Sequence, residues 1–185
     1  AHYMVGGLAV DTDGRTNVPG LFAVGECAST GLHGANRMGS NSLLEALVLG
    51  HNTGAIAADD ARHAEPVRPI SDAGRIDSPA PAEVQVNLAD LTYSLKSMMS
   101  RQMGVERDGP GMRDAMESLE FWSRAVEALP KDSPRAWELL NMLTVARLAT
   151  LGALDREESR GVHHRTDFPK LDPAGPSHLE LRPQG

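Results

Sequence analysis

The residues with chemistry to offer gather between Gly20 and Gly50. Leu21 to Val24 is a short apolar run after a Pro19-Gly20 turn, which reads as a covered strand, and Glu26 stands where that strand would end. In open α/β sheets ligands collect at the carboxyl ends of strands. The loop from Thr30 to Ser42 follows, with Gly31, Gly34 and Gly39 to let the backbone come close to a ligand, and Arg37 as its cation. Asn41 or Ser42 can cap the apolar run Leu43, Leu44, Ala46, Leu47 and Val48, so the amides of a helix's first turn would face the loop. Such an end favours negative charge.

A carboxylate on one side, with backbone donors and a guanidinium on the other, suits a large polar cofactor together with an acidic substrate. Neither a metal nor a nucleophile is required. The competing reading is a strand, loop and helix whose glycines only permit tight packing. The length of the loop and the order of its parts favour the ligand.

The elements that must position these residues follow from the pattern on either side. Residues 1–19 read as a strand through Val10, a turn at Asp13-Gly14 and a return toward Pro19-Gly20, because an Asp-Gly step between apolar runs is a strong hairpin signal. The helix from Leu43 is expected to reach Ala58 or beyond, with Gly50 and Gly54 weakening it by up to about 1 kcal/mol each but permitting close packing. From Asp59 to Ala82 prolines are interspersed with charges and small residues, the composition of a linker.

Three helical patterns come next. Leu88, Leu91, Leu95, Met98, Met99 and Met103 recur at spacings of three and four; so do Met112, Ala115, Met116, Leu119, Trp122, Val126 and Leu129. Asp132-Ser133-Pro134 supplies a cap and a first-turn proline for a third helix from Arg135 to about Arg156, apolar on most sides and therefore expected at the centre. Short connections between three helices predict an antiparallel bundle. The methionines, at helical spacing, read as core. The fold class is thus an α/β segment (strands, glycine-rich loop, helix) followed by an all-α antiparallel three-helix bundle. Its boundaries are a first domain over 1–62, a linker over 63–85, the bundle over 86–160 and an extended tail over 161–185.

Composition excludes several classes. A net charge of −7, with 18 Lys and Arg that form no basic cluster, argues against nucleic acid. No run approaches the roughly 20 apolar residues that span a bilayer, so no membrane is expected and the cytoplasm is the default. The single cysteine, Cys27, rules out an internal disulfide framework and reads as a small buried residue. Adjacent His163 and His164 point different ways on any regular element, which makes a poor metal site.

Gly-Leu-Phe-Ala-Val-Gly-Glu over 20–26, followed by Gly-Leu-His-Gly-Ala-Asn-Arg-Met-Gly-Ser-Asn-Ser-Leu-Leu-Glu over 31–45, resembles the second flavin-binding segment of the succinate dehydrogenase, fumarate reductase and L-aspartate oxidase flavoproteins. Ala1 to Gly7 is similar to that superfamily's substrate-binding histidine segment, and Arg156 to His163 resembles its helical C-terminal signature. Within it, the motifs at 30–37, 40–45 and 141–147 look most like the L-aspartate oxidase branch. Gly39 departs from the alanine expected there and matches the fumarate reductases.

The resemblance implies FAD as cofactor. Glu26 would accept hydrogen bonds from its hydroxyls, and Ser42 and Leu43, with Asn41 in second rank, would meet its ring edge. It implies that His2 and Arg37 grip the carboxylates of a dicarboxylate such as L-aspartate, with fumarate or oxygen as electron acceptor. The helical domain would brace the flavin domain, and Arg160 and His164 are candidates to approach the flavin or substrate edge. No G-x-G-x-x-G opens a βαβ unit, and no counterpart of the family's acid/base arginine is found. Both are expected in an N-terminal remainder without which this chain would not turn over. The product would pass to quinolinate synthase in NAD biosynthesis. A succinate dehydrogenase or fumarate reductase flavoprotein subunit, or a non-catalytic helical module on a degenerate flavin segment, are the alternatives.

Overall fold

The computed structural model describes residues 3–65, 86–129 and 133–182. The chain divides into two compact units, Ala1–Pro69 and Ile70–Gly185.

The first unit begins with the predicted turn. The Asp11 carboxylate accepts from the amides of Asp13 and Arg15, each at 2.9 Å, and Gly14 takes a φ of 76° that a side chain would resist. The arms differ from expectation. Arg15 pairs with Phe22 through an isolated antiparallel bridge, whereas β1 (Leu8–Ala9) pairs in parallel with β2 (Ala28–Ser29). Leu21 to Val24 is therefore not a strand, and of its four residues only Ala23 is buried. The physical reason is Gly25, whose φ of 77° turns the chain into a single 3-10 turn, Gly25–Cys27, so that the ladder is taken up three residues later. Gly7 is needed for the same pairing, since a Cβ there would lie 2.4 Å from the Cys27 carbonyl oxygen.

Helix α1 (Asn41–His63) is longer than its apolar run and passes through both Gly50 and Gly54. It also carries through Asp59, where the composition suggests a linker; residues 66–85 lie outside the described part. The close approach expected at the two glycines is not made among the described residues, because a Cβ at either would meet nothing within 4 Å. The helix is held to the rest of its unit by polar contacts. Thr53 Oγ1 donates to the Asp13 carbonyl at 2.9 Å, Arg15 forks onto Asp60, and Thr30 Oγ1 donates to the buried carboxylate of Glu45. Its apolar residues Leu43, Leu44, Leu47 and Val48 are exposed.

The second unit contains α2 (Leu88–Gln102), α3 (Gly109–Glu127) and α4 (Pro134–Asp155), each started by a side chain that accepts from first-turn amides: Asn87, Asp108 and Ser133. Leu95 and Met98 of α2 meet Ala115, Leu119 and Val126 of α3 and Leu139, Leu143 and Ala146 of α4 in one apolar core. Methionine serves this core as expected, with Met98 and Met112 buried and Met99 and Met116 packed against it. Helix α4 buries Ala136, Leu139, Leu143, Ala146, Thr150 and Ala153, an alternation of three and four that makes one stripe. Leu140 and Met142 pack against the same core, but Trp137, Val145 and Leu148 are exposed, so α4 is not enclosed on all sides.

The segment after α4, expected as an extended tail, holds no regular helix or strand among the described residues but is anchored. Buried Arg165 donates from Nη1 to the carbonyls of Ala153, Leu154 and Arg156 at 3.0 to 3.2 Å, closing the end of α4. Glu158 accepts from Arg156, Arg160 and the Asp172 amide.

Candidate functional site

The glycine-rich loop delivers Arg37 to the start of α1. There its Nη1 donates to Ser42 Oγ at 3.1 Å, and its guanidinium carbon lies 4.5 Å from the centre of the Tyr3 ring, a stacked cation on an aromatic face. Among the described residues no other partner occupies the remaining donors of that guanidinium. Tyr3 also meets His33 edge-on, with ring centres 5.7 Å apart and planes at 87°. His33 Nε2 in turn sits 2.7 Å from Glu45 Oε2. The two atoms are close without being aligned for a hydrogen bond, which makes the contact primarily electrostatic. Glu45 Oε1 accepts from Thr30. The Tyr3 phenol is pushed up, first by burial and then by the charges of Glu45 and Glu26, with Arg37 acting in the opposite sense.

The structure thus brings together Arg37 and Ser42 of the residues singled out by sequence. Glu26 lies in the 3-10 turn, where one carboxylate oxygen accepts from the Met4 amide at 2.8 Å and its charge acts on the neighbouring Tyr3. Asn41 and Leu43 occupy the first turn of α1, but their amides are already used by the carbonyls of Met38 and Ser40. The turn's capacity for an anion is smaller than its sequence suggests. The cap itself is Ser40, not Asn41 or Ser42. It makes no side-chain cap and adopts a left-handed φ of 69°, uncommon for a residue with a side chain. His2 lies outside the described residues. Arg160 is spent on Glu158 within the second unit, and Cys27 is exposed, its thiol 3.3 Å from the Val24 carbonyl, where a buried residue was expected. Among the described residues no group of three His, Cys, Asp or Glu could hold a metal.

Tyr3, Thr30, His33 and Glu45 were missed. A signal for the last was present: a lone carboxylate inside Leu43-Leu44-Glu45-Ala46-Leu47-Val48 must find a partner if that run is covered. Nothing in spacing alone says that the partner would be His33.

The residues present fit a flavin. A Cβ at Gly34 or Gly39 would meet nothing within 4 Å, and Leu43, Leu44 and Leu47 at the start of α1 are exposed apolar residues. Glu26 keeps a carboxylate oxygen able to accept from a diol. A planar ring system carrying a polyol matches that donor and acceptor set.

Comparison with known proteins agrees. Residues 1–43 match the FAD binding domain family and residues 92–175 the fumarate reductase flavoprotein C-terminal family. The chain belongs to the succinate dehydrogenase and fumarate reductase flavoprotein superfamily, and FAD is its cofactor. It is 44% identical to the L-aspartate oxidase of Rhodospirillum rubrum across the whole of this chain and 62% of that protein. It is 38% identical to the fumarate reductase flavoprotein subunit of Mycobacterium tuberculosis over 92% of this chain and 33% of that one. Escherichia coli quinol fumarate reductase superposes with a TM-score of 0.79 at 31% identity, over 94% of this chain and 33% of that chain. The chain therefore spans less than two thirds of the relatives it matches. No helix among the described residues is long and apolar enough to cross a membrane.

Proposed function

We propose that this chain is the C-terminal part of a cytoplasmic, FAD-dependent L-aspartate oxidase, which converts L-aspartate to iminoaspartate and is reoxidised by oxygen or fumarate. The observation that carries the reading is the Arg37 guanidinium, held by Ser42 and Tyr3 with donors left over. Likeness to an L-aspartate oxidase along the whole of this chain and 62% of that protein supports it. When bound, FAD supplies the hydride acceptor. The work of this chain is to place the substrate. The free fork of Arg37 takes one carboxylate in bidentate fashion and His2 the other, which fixes the bond to be oxidised and removes orientational freedom before reaction. Glu26 accepts from cofactor hydroxyls, while Ser42, Leu43 and, in second rank, Asn41 border its ring.

The acid/base arginine and the dinucleotide fingerprint would be supplied by an N-terminal remainder, and iminoaspartate would be consumed by quinolinate synthase in NAD biosynthesis. The division into 1–62, 63–85, 86–160 and 161–185 is retained, with α2, α3 and α4 as the antiparallel bundle of the family. Their individual caps and shared core support it.

A second reading, a succinate dehydrogenase or fumarate reductase subunit, is favoured by Gly39, where neither backbone conformation nor packing among the described residues demands a glycine. Anaerobic incubation of the native flavoprotein with L-aspartate and, separately, with succinate separates the two. Flavin bleaching by aspartate that is reversed by air or fumarate is the expected result. Bleaching by succinate alone would replace the oxidase reading with the respiratory one, and absence of flavin would leave the helical-module reading.

A further inference from the structure

The contacts around Arg37 close into a ring. Ser42 and Glu45 lie three residues apart on α1 and so share one side of its first turns. From Ser42 the path runs to Arg37 Nη1 at 3.1 Å, from the Arg37 guanidinium to the face of Tyr3 at 4.5 Å, and from the Tyr3 ring edge-on to His33 at 5.7 Å. It returns from His33 Nε2 to Glu45 Oε2 at 2.7 Å. Glu45 is the fixed point. Its side chain is only 3% exposed, and its second oxygen is occupied by Thr30. One contact alone, Arg37 to Ser42, leaves a long flexible side chain free to swing about a single hydrogen bond. The stack on Tyr3 removes that freedom by fixing the plane of the guanidinium, and the Tyr3 ring is itself fixed by His33.

We propose that Glu45 and His33 are positioning residues of the dicarboxylate site: acting through Tyr3, the pair holds the Arg37 fork in the plane from which it grips a substrate carboxylate. The inference rests on the proposed carboxylate role of Arg37. Neither Glu45 nor His33 touches the reacting atoms. Their contribution is the orientation of the group that does, which is worth most where two parallel N–H···O bonds must form at once.

The test is made on the intact native flavoprotein, with malonate as probe. Its dissociation constant is read from the perturbation of flavin absorbance and, independently, from the rise in thermal midpoint that malonate produces. Glu45→Gln, which keeps shape and removes the charge that holds His33, is expected to weaken malonate tenfold or more with flavin content unchanged, and Glu45→Asp to restore most of the loss. Tyr3→Ala is expected to weaken malonate to a similar degree. The double variant should be no worse than either single one, since both break the same path; independent structural damage would instead add. Should Glu45→Gln not fold, the partly buried Tyr3 still reports. Malonate affinity within twofold of native in Tyr3→Ala would overturn the proposal, as would additive losses in the double variant. A native flavoprotein that binds flavin but no malonate would overturn the carboxylate role of Arg37 itself, and this proposal with it.

Discussion

Arg165 and Asp167 form a two-bond fork, Nε to Oδ1 and Nη2 to Oδ2, both at 2.8 Å, and Asp167 Oδ2 also accepts from the Gly109 amide at 2.8 Å. Because Arg165 Nη1 closes the last carbonyls of α4 while Gly109 opens α3, this pair clamps the end of one helix to the start of another. The bidentate geometry and the two helix ends it serves distinguish it from a surface ion pair.

Asp167→Ala is accordingly expected to cost about 2 to 3 kcal/mol, because it strands a buried guanidinium and an unsatisfied α3 amide. Chemical denaturation of the native protein and of the variant measures it. A loss below about 0.5 kcal/mol, the level of an ordinary surface change, would reduce the clamp to a bystander.

Stability should fall in acid in two stages. Burial, reinforced by the nearby cations Arg107, Arg156 and Arg165, holds His163 below its ordinary range, while Nε2 meets the Arg156 carbonyl at 3.1 Å and Nδ1 faces Arg107 Nη1 at 3.3 Å. The unfolded chain therefore binds a proton here before the folded one does, and stability begins to drop as pH falls below about 6.5. The second stage belongs to carboxylates. Arg160, the Asp172 amide and Arg156 pull Glu158 down to about 2, and Arg165 holds Asp167 well below the usual range. The Glu158 contribution is complete above its unfolded value near 4.5 and is lost between there and about 2, and that of Asp167 is lost at still lower pH. His163→Gln should remove the first stage and leave the second, as read from thermal midpoints between pH 3 and 8.

Two glycines should tolerate no side chain and one should tolerate it freely. At Gly14 an added Cβ would lie 2.5 Å from Thr53 Oγ1, and at Gly7 2.4 Å from the Cys27 carbonyl oxygen, both at positive φ. Left-handed backbone alone costs about 1 to 2 kcal/mol. Gly7→Ala and Gly14→Ala should each destabilise the native protein by more than that, whereas Gly39→Ala, with nothing within 4 Å, should stay within about 0.5 kcal/mol.

Arg37→Lys should weaken malonate at least tenfold although the charge is kept. An ammonium offers no planar fork to a carboxylate and no flat face to Tyr3. Equal affinity in the two proteins would mean that charge alone carries the site.

Much was legible in the sequence because it is local physics. Helices α2, α3 and α4 appear where apolar residues recur at three and four and where Asn87, Asp108 and Ser133 stand ready to accept from first-turn amides; the turn at Asp11–Gly14 follows from Asx and glycine chemistry. The motif around Arg37 was enough to place the chain among flavoproteins. What the sequence could not decide was pairing between distant segments. An apolar run at Leu21–Val24 has strand propensity, but Gly25 and the close approach at Gly7 gave the ladder to Ala28–Ser29 instead. Likewise Tyr3, His33 and Glu45 are ordinary residues taken one by one. Only the tertiary fold sets an N-terminal ring between a loop arginine and a loop histidine and turns a lone carboxylate in an apolar helix into their anchor, because such contacts depend on where separate segments meet in space and leave no period in the chain.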